Sequence, residues 1–124
     1  MIPEYGSLTF DSDGNLSDDT LECIEHAQVE SDEECRQLLD LVCRLWHWSD
    51  YAQHLGDGKY HFYTGGWSDN EALLGALKRN LRVWIRSKYI HDGARCIYAV
   101  GDKAKAEMKA LVDDLFEIWG RDQQ

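Results

Sequence analysis

The sequence predicts an α+β fold in which a small, mostly antiparallel sheet of three to four strands packs against three to four helices. Apolar residues recur at helical spacing in several segments, and shorter segments alternate apolar and polar side chains as strands do. Ser-x-x-Glu capping boxes mark two of the helix starts. The length of 124 residues suits one hydrophobic core, so residues 1–124 are expected to form a single domain with an acidic segment at about 1–35.

The amino-terminal residues predict only small elements. Residues 5–10 contain two apolar positions and precede the turn sequence Asp-Ser-Asp-Gly-Asn at 11–15, so a short strand and a turn are expected. Asp18 and Asp19 would then lie in the first turn of a helix, where carboxylates favour the helix dipole. Ser17 is therefore the expected N-cap of a short first helix.

A longer helix is predicted from Asp32 to about His54. Ser31 and Glu34 form a capping box, and apolar residues follow at helical spacing. The sequence Gly-Asp-Gly at 56–58 is typical of a helix end and turn. It should lead directly into the next strand.

A strand that turns sharply into a helix is predicted at the centre of the chain. Residues 59–64 alternate as a strand does, and Gly65 and Gly66 then allow backbone angles that other residues avoid. Ser68 and the glutamate three residues later form a capping box, so a helix should begin there. This helix is expected to end at about Arg79, with the next residue, an asparagine, as a left-handed cap.

Residues 81–90 allow two interpretations. Their apolar and basic side chains alternate, which favours a strand, but Leu77, Leu81 and Trp84 also fit one continued helix. We choose the strand because β-branched residues and a His-Asp-Gly turn lead into a second alternating run at 96–100. The two runs should form a hairpin.

A last helix is predicted to open at Gly101 and Asp102 and to end at Gly120. Its apolar residues share one stripe, with charged residues opposite. The stripe consists of Ala104, Met108, Leu111, Val112, Leu115, Ile118 and Trp119.

Charge is distributed unevenly along the chain. Residues 1–35 contain 11 Asp or Glu and no Lys or Arg, whereas the remaining residues carry 13 Lys or Arg against 12 Asp or Glu. The net charge of −10 therefore comes from the acidic front, and basic residues dominate between 78 and 95. The acidic residues that we expect to form a surface patch are Asp11, Asp13, Asp18, Asp19, Glu22, Glu25, Asp32 and Glu33.

Two metal-binding interpretations are possible, and both are weak. Residues 11–22 have oxygen ligands at calcium-loop spacing, but a leucine occupies the position that requires glycine. Cys23 with His26, and Cys43 with His47, have zinc-ligand spacing on a helix, yet such residues are common on amphipathic helices without metal. We expect no bound metal and no cofactor.

The sequence does not indicate an enzyme. A nucleophile beside a base, or a pair of carboxylates in an apolar cleft, would be expected in a hydrolytic or acid–base site. The five histidines are scattered instead, and His61, near the double glycine, is the best placed of them for proton transfer. No catalytic residue is assigned.

The double glycine before a helix start is a possible anion site. Free backbone amides and the helix dipole would favour a phosphate there, so a nucleotide could be captured. The acidic residues in the same turn and the missing P-loop lysine oppose this interpretation. The residues that such a site would use are Gly65, Gly66, Trp67, Ser68 and Asn70, helped by Arg82 or Arg86.

The stretch Thr-Gly-Gly-Trp-Ser-Asp-Asn-Glu at 64–71 resembles a sequence found in small phage and prophage proteins of unknown function. The similarity extends over about residues 60–100, with Asp69 where the usual form has glycine and Asp92 where it has the first of two glycines. The resemblance implies a phage or mobile-element origin. It implies no activity and no catalytic residue.

Direct binding to nucleic acid is not favoured. Arg82, Trp84, Arg86 and Lys88 would alternate charge with a stacking ring on one strand face, as in single-strand binders. The net charge of −10 would nevertheless repel a polyanion at long range.

The acidic front and the phage-like stretch together suggest an inhibitor that acts by binding. A dense carboxylate surface can be steered onto the basic groove of a protein or ribonucleoprotein that handles nucleic acid. We therefore expect a DNA-mimic or anti-CRISPR type inhibitor of a host defence complex, with no catalytic step. The amino terminus lacks signal-peptide features and no apolar run is long enough for a membrane span, so a cytoplasmic location in the host cell is expected. The oligomeric state is not specified.

Overall fold

The computed structural model describes residues 2–47, 49–108 and 110. Its four strands form one antiparallel sheet in the order β1-β2-β4-β3, so the predicted α+β class is confirmed. The strands are Ala52–Gly56 (β1), Lys59–Tyr63 (β2), Ser87–Asp92 (β3) and Arg95–Val100 (β4). The helices with defined ends are Asp18–Glu25 (α1), Asp32–Leu45 (α2), Ser68–Arg79 (α3) and Leu81–Arg86 (α4).

The main hydrophobic core lies on one face of the sheet. Tyr60 lies opposite Tyr98 and Phe62 lies opposite Cys96 in the β2–β4 pairing, and all four side chains are buried. Helices α1, α2 and α3 bury their apolar stripes in the same cluster. The buried helical residues that fill it include Ile24, Leu38, Leu39, Val42, Leu73, Leu74 and Leu77.

The opposite face of the sheet carries a second, smaller core. Ile97 and Ala99 of β4 are fully buried there against Ala104 and Met108. Residues 102–108 are helical, which confirms the start of the predicted last helix. The apolar positions predicted beyond Met108, and the predicted end at Gly120, lie outside the described residues.

Local caps fix the starts of the first two helices as predicted. The Ser17 hydroxyl accepts a hydrogen bond from the Thr20 amide at 3.2 Å, and the Ser31 hydroxyl accepts one from the Glu34 amide at 3.1 Å. The Glu34 carboxylate accepts from the amide of Glu30 rather than from that of Ser31, so the capping box of α2 is shifted by one residue. The turn at 11–15 is also present, although the strand expected before it is reduced to a 3-10 turn and one isolated bridge between Phe10 and Leu16.

The predicted length of the second helix is wrong. Helix α2 ends at Leu45 rather than near His54, and Trp46 is already extended. Residues 52–56 pair with β2 instead, with Ala52 opposite Phe62. β1 and β2 form a hairpin around the Gly-Asp-Gly turn at 56–58, and this pairing overrides the helical spacing of the apolar side chains.

The predictions for residues 68–90 require three corrections. Helix α3 begins at Ser68, but Trp67 is its N-cap residue and no side chain caps it. Asn80 has φ −79°, so it is not a left-handed cap; it is the N-cap of α4. Residues 81–86 are therefore helical, and the strand begins only at Ser87. The predicted hairpin is present as β3 and β4.

No helix in the described ranges, 2–47, 49–108 and 110, is long and apolar enough to cross a bilayer.

The imidazole of His61 gives the fold a defined acid sensitivity. Burial, and to a lesser degree the Arg95 guanidinium, lower the pKa of His61 below its usual value. The unfolded chain, in which the histidine pKa is about 6.5, therefore binds this proton more tightly than the folded chain. We expect the free energy of unfolding to decrease as the pH falls below about 6.5, and His61→Gln to reduce that decrease. Urea titrations between pH 7 and pH 5 measure the effect, with exposed His26→Gln as the control. Equal pH slopes in the two variants would contradict it.

Candidate interaction surfaces

The turn at 11–15 and helix α1 form one acidic surface, which we call the acidic end. The turn is closed by the Asp11 amide, which donates to the Asn15 carbonyl at 2.8 Å. It is joined to α1 because the Thr9 carbonyl accepts hydrogen bonds from the side chains of Ser17 and Thr20, at 3.0 and 2.7 Å. The exposed carboxylates of the acidic end are those of Asp11, Asp13, Asp18, Asp19 and Glu22.

The carboxylates of the acidic end have no basic partner within the described part of the chain. No Lys or Arg in residues 2–47, 49–108 and 110 lies within ion-pair distance of any of them. The Asp11 carboxylate is partly used, since it accepts the amides of Asp13 and Asn15, both at 2.9 Å. The other four are exposed to solvent without such bonds to the described residues. Their negative charges therefore add up in one region.

The other three predicted acidic residues each face an arginine in the structure. Glu25 forms an ion pair with Arg79. Asp32 and Glu33 also face arginines. The Asp32 carboxylate lies 3.9 Å from the Arg86 guanidinium, and the Glu33 carboxylate lies 3.7 Å from the Arg36 guanidinium. Arg36, together with Arg79 and Arg86 from the middle of the chain, thus neutralises part of the acidic front. The predicted patch of eight residues is reduced to five.

The double-glycine corner is held by hydrogen bonds within the chain. Gly65 and Gly66 both have positive φ, at 62° and 79°, as the sharp turn requires. Asn70 is fully buried behind the turn. Its amide donates to the carbonyls of His47 and Thr64 at 3.1 and 3.2 Å, and its carbonyl oxygen accepts from the His47 amide at 2.8 Å. The corner is therefore hydrogen-bonded to His47, two residues after the end of α2.

Two further side chains of the corner reinforce this attachment. The Trp67 ring stacks on the His47 ring, with centroids 5.3 Å apart and planes 25° from parallel. The Asp69 carboxylate lies 3.2 Å from the His47 Nε2 and accepts a hydrogen bond from the Leu16 amide at 3.2 Å. Asp69 thereby links the corner to the residues beside the acidic end.

The residues predicted to hold a phosphate are not brought together. Arg82 and Arg86 follow the carboxyl end of α3, whereas Gly65 and Gly66 precede its amino end. Twelve helical residues separate the two groups, a distance of about 18 Å along the axis. Arg86 is moreover engaged by the Glu30 carbonyl at 2.7 Å.

A cleft of about 400 Å³ lies beside Gly66, between α3 and the β3–β4 turn. Its volume is within the range of small-ligand sites. The charged and titratable groups that line it are Glu71, Lys78 and His91, and the Lys78 Nζ contacts the His91 Nδ1. Any anion at this corner would meet Lys78 rather than the two predicted arginines.

Helix α4 has an exposed apolar surface that the strand prediction for these residues missed. Leu81, Trp84 and Ile85 are 71%, 62% and 69% exposed, whereas Val83 is fully buried. These three exposed residues have the i, i+3, i+4 spacing of one helical face. The helical spacing of Leu81 and Trp84 was the signal that could have revealed this face, whereas Leu77, the third residue of that pattern, belongs to α3 and is buried. Arg82 and Lys88 beside it are also exposed.

The cysteines are poorly suited to metal binding or catalysis. Burial raises the pKa of Cys35 to about 11 and that of Cys43 and Cys96 to about 12, so these thiols are protonated at neutral pH. Cys23 is exposed. Among the residues that the structure describes, no group of three or more His, Cys, Asp or Glu side chains is arranged to hold a metal ion.

Comparisons with protein families, curated proteins and solved structures found no match to this chain.

Proposed function

We propose that this protein acts by binding another protein, and that its acidic end occupies a basic surface of host machinery that handles nucleic acid. The observation that carries the proposal is the group of exposed carboxylates at 11–22 without a Lys or Arg partner in the described residues. An electronegative region of this kind accelerates encounter with a cationic partner and fixes the orientation of docking.

The build of the acidic end suits a rigid docking element. Helix α1 buries Thr20 and Ile24 and leaves Asp18, Asp19 and Glu22 exposed to solvent. Asp18 and Glu22 lie on one helical face, separated by about 6 Å along the axis. Because the turn before α1 is tied to its first residues, the backbone that carries the carboxylates is held in place, and less backbone entropy is lost when a partner binds.

The mechanism would be electrostatic and steric occupancy. A protein that covers a nucleic-acid groove excludes the nucleic acid without any chemical step, so no catalytic group is needed. The resemblance of residues 64–71 to phage and prophage proteins points to a bacterial host and to a defence complex, of the kind that anti-CRISPR proteins block, as the target. The partner is then a basic protein or ribonucleoprotein complex in the cytoplasm of the host.

A pair of matched variants tests the proposal. The first variant neutralises the acidic end by Asp13→Asn, Asp18→Asn, Asp19→Asn and Glu22→Gln. The control neutralises the same number of exposed carboxylates elsewhere, by Asp40→Asn, Asp50→Asn, Asp57→Asn and Asp102→Asn. Each variant changes the net charge from −10 to −6, so the two are matched in net charge and differ in where the charge was removed.

We expect the acidic-end variant to bind its partner at least tenfold more weakly than the control variant. Nuclease-treated host lysate supplies the partner, and the purified captured protein is then tested for displacement of its nucleic acid. The parent chain and the control should displace it, more effectively at low salt than at high salt. Equal binding by the two variants, or capture without displacement, would overturn the proposal.

Capture of a nucleotide or phosphate at the double-glycine corner is the second candidate, and the cleft beside Gly66 with Lys78 favours it. A thermal-shift measurement with nucleotides and with inorganic phosphate separates the candidates. Ligand capture raises the melting temperature of the isolated protein, whereas an inhibitor that needs a protein partner does not respond.

A further inference from the structure

Strand β3 is an open edge of the sheet. It pairs with β4 in an unbroken register from Ser87 to Asp92, and no strand in the described part of the chain covers its outer side. The other edge, β1, is protected by a register shift between His54 and Gly56, a device that discourages edge-to-edge pairing. The two edges therefore differ, and β3 is the one available for a further strand.

The side chains of β3 that share one sheet face are arranged with opposite charges around an apolar centre. Lys88, Ile90 and Asp92 alternate along the strand and are all exposed. Ile90 is 38% exposed and lies midway between the positive and the negative residue. A strand of this pattern complements itself when it is reversed.

We propose that two copies of this chain pair through β3 in an antiparallel, two-fold symmetric arrangement that makes one continuous eight-stranded sheet. The two-fold axis would pass through Ile90. Lys88 of each copy then lies opposite Asp92 of the other, and the two Ile90 side chains meet at the axis. Opposite charges directly across a strand pair stabilise the pairing.

Symmetry leaves few alternatives to this register. A two-fold axis that joins antiparallel edges into one sheet is perpendicular to the sheet, so it keeps each side chain on its own face. Residues that pair must then be an even number of positions apart. An axis at Tyr89 would place Lys88 opposite Ile90, and an axis at His91 would place Asp92 opposite Ile90. Only the axis at Ile90 places Lys88 of each copy opposite Asp92 of the other.

The exposed face of α4 adjoins β3 along the chain. Helix α4 ends at Arg86, directly before β3 begins at Ser87. In the proposed register Ser87 lies opposite Gly93 of the second copy, so the α4 end of one copy approaches the β3–β4 turn of the other, twice by symmetry. Leu81, Trp84 and Ile85 would add apolar area that a single added strand pair lacks.

Two charge reversals test the register. Lys88→Asp gives each copy two negative residues at the paired positions, and Asp92→Lys gives each copy two positive ones. We expect either variant alone to raise the dimer dissociation constant about tenfold or more, because like charges then face each other at both symmetric pairs. An equimolar mixture of the two variants should form a heterodimer, since every pair across the axis is again opposite in charge.

Analytical ultracentrifugation over a range of concentrations, with circular dichroism to verify folding, measures these outcomes. A parent chain that stays monomeric at all concentrations, or two variants that associate no better when mixed than when separate, would overturn the proposal. Trp84→Ser should also weaken the dimer, and an unchanged dissociation constant would contradict the contribution of α4. The acidic-end variant should dimerise as the parent does, so this test is independent of the proposed function.

Discussion

Replacing Asn80 by alanine is expected to lower the free energy of unfolding by about 3 kcal/mol. The Asn80 side chain is almost fully buried between α3, α4 and the end of α1. Its oxygen accepts the amides of Arg82 and Val83 at 3.0 and 3.2 Å, and its amide donates to the carbonyls of Ile24 and Ala27 at 2.9 and 3.2 Å.

Alanine removes a helix cap, which costs about 1 kcal/mol, and it removes the side-chain donor to the Ile24 and Ala27 carbonyls, which costs about 1–3 kcal/mol. The Ile24 carbonyl keeps the Ala27 amide at 3.4 Å, so most of this cost comes from the Ala27 carbonyl. Asn80→Ser separates these effects, because serine keeps the cap but cannot donate to Ile24 and Ala27. Asn80→Ser should therefore lower the free energy of unfolding, but by less than Asn80→Ala does. Urea unfolding measures both, with exposed Asn15→Ala as the control. If Asn80→Ala lowers the free energy of unfolding by less than about 1 kcal/mol, the hydrogen bonds of Asn80 that link α1 to α4 contribute little to stability.

The starts of the first two helices could be predicted from the sequence because their signals are local. Ser17 and Ser31 each cap a helix through an amide three residues away. The end of α2 could not be predicted in the same way. Residues 52–56 leave the helical pattern because they pair with β2, and Trp46 closes the connection by donating its indole N–H to the Tyr63 carbonyl at 2.9 Å. Neither contact has a signature in the sequence near residue 46.

Asn80 shows why the following segment was assigned to the wrong element. Its sequence position suggests the end of α3, whereas its side chain is used to begin α4 and to hold the carboxyl end of α1, more than 50 residues earlier. The alternation of apolar and basic residues after it was therefore misleading. Val83 is the residue that faces the core, and Leu81 and Ile85, which the strand would have placed beside it, are exposed.

The acidic end could be predicted only in part, because composition reveals the acidic residues but not which of them form ion pairs. The excess of acidic residues at 1–35 is a property of composition, and the exposure of Asp13, Asp18, Asp19 and Glu22 follows from it. Which acidic residues are neutralised depends on tertiary structure. Glu25 meets Arg79 only because α1 packs against α3, and Asp32 meets Arg86 only because α4 is a helix.

The double-glycine corner is expected to be a structural joint, and Asn70→Ala should test this with a loss of about 3 kcal/mol in the free energy of unfolding. The Asn70 side chain is fully buried and makes three hydrogen bonds to main-chain groups of His47 and Thr64. Alanine would leave the His47 amide and carbonyl without these partners, whereas the Thr64 carbonyl keeps the Trp67 amide at 3.1 Å. Each unpaired buried group costs about 1–3 kcal/mol. Together these losses correspond to a fall in the melting temperature of about 10 °C.

Ser68→Ala is the matched control, because it changes the residue that the sequence predicted as the cap of the same helix. Ser68 is exposed and its side chain makes no cap hydrogen bond, so the change should stay within about 0.5 kcal/mol. A loss of about 1 kcal/mol for Ser68→Ala would instead support the capping box. Asn70→Asp adds a further distinction, since the carboxylate oxygen that replaces the amide nitrogen would face the carbonyl oxygens of His47 and Thr64. We therefore expect Asn70→Asp to destabilise the fold at least as much as Asn70→Ala. A corner that served only to bind an anion would instead leave the melting temperature of the isolated protein unchanged in all three variants.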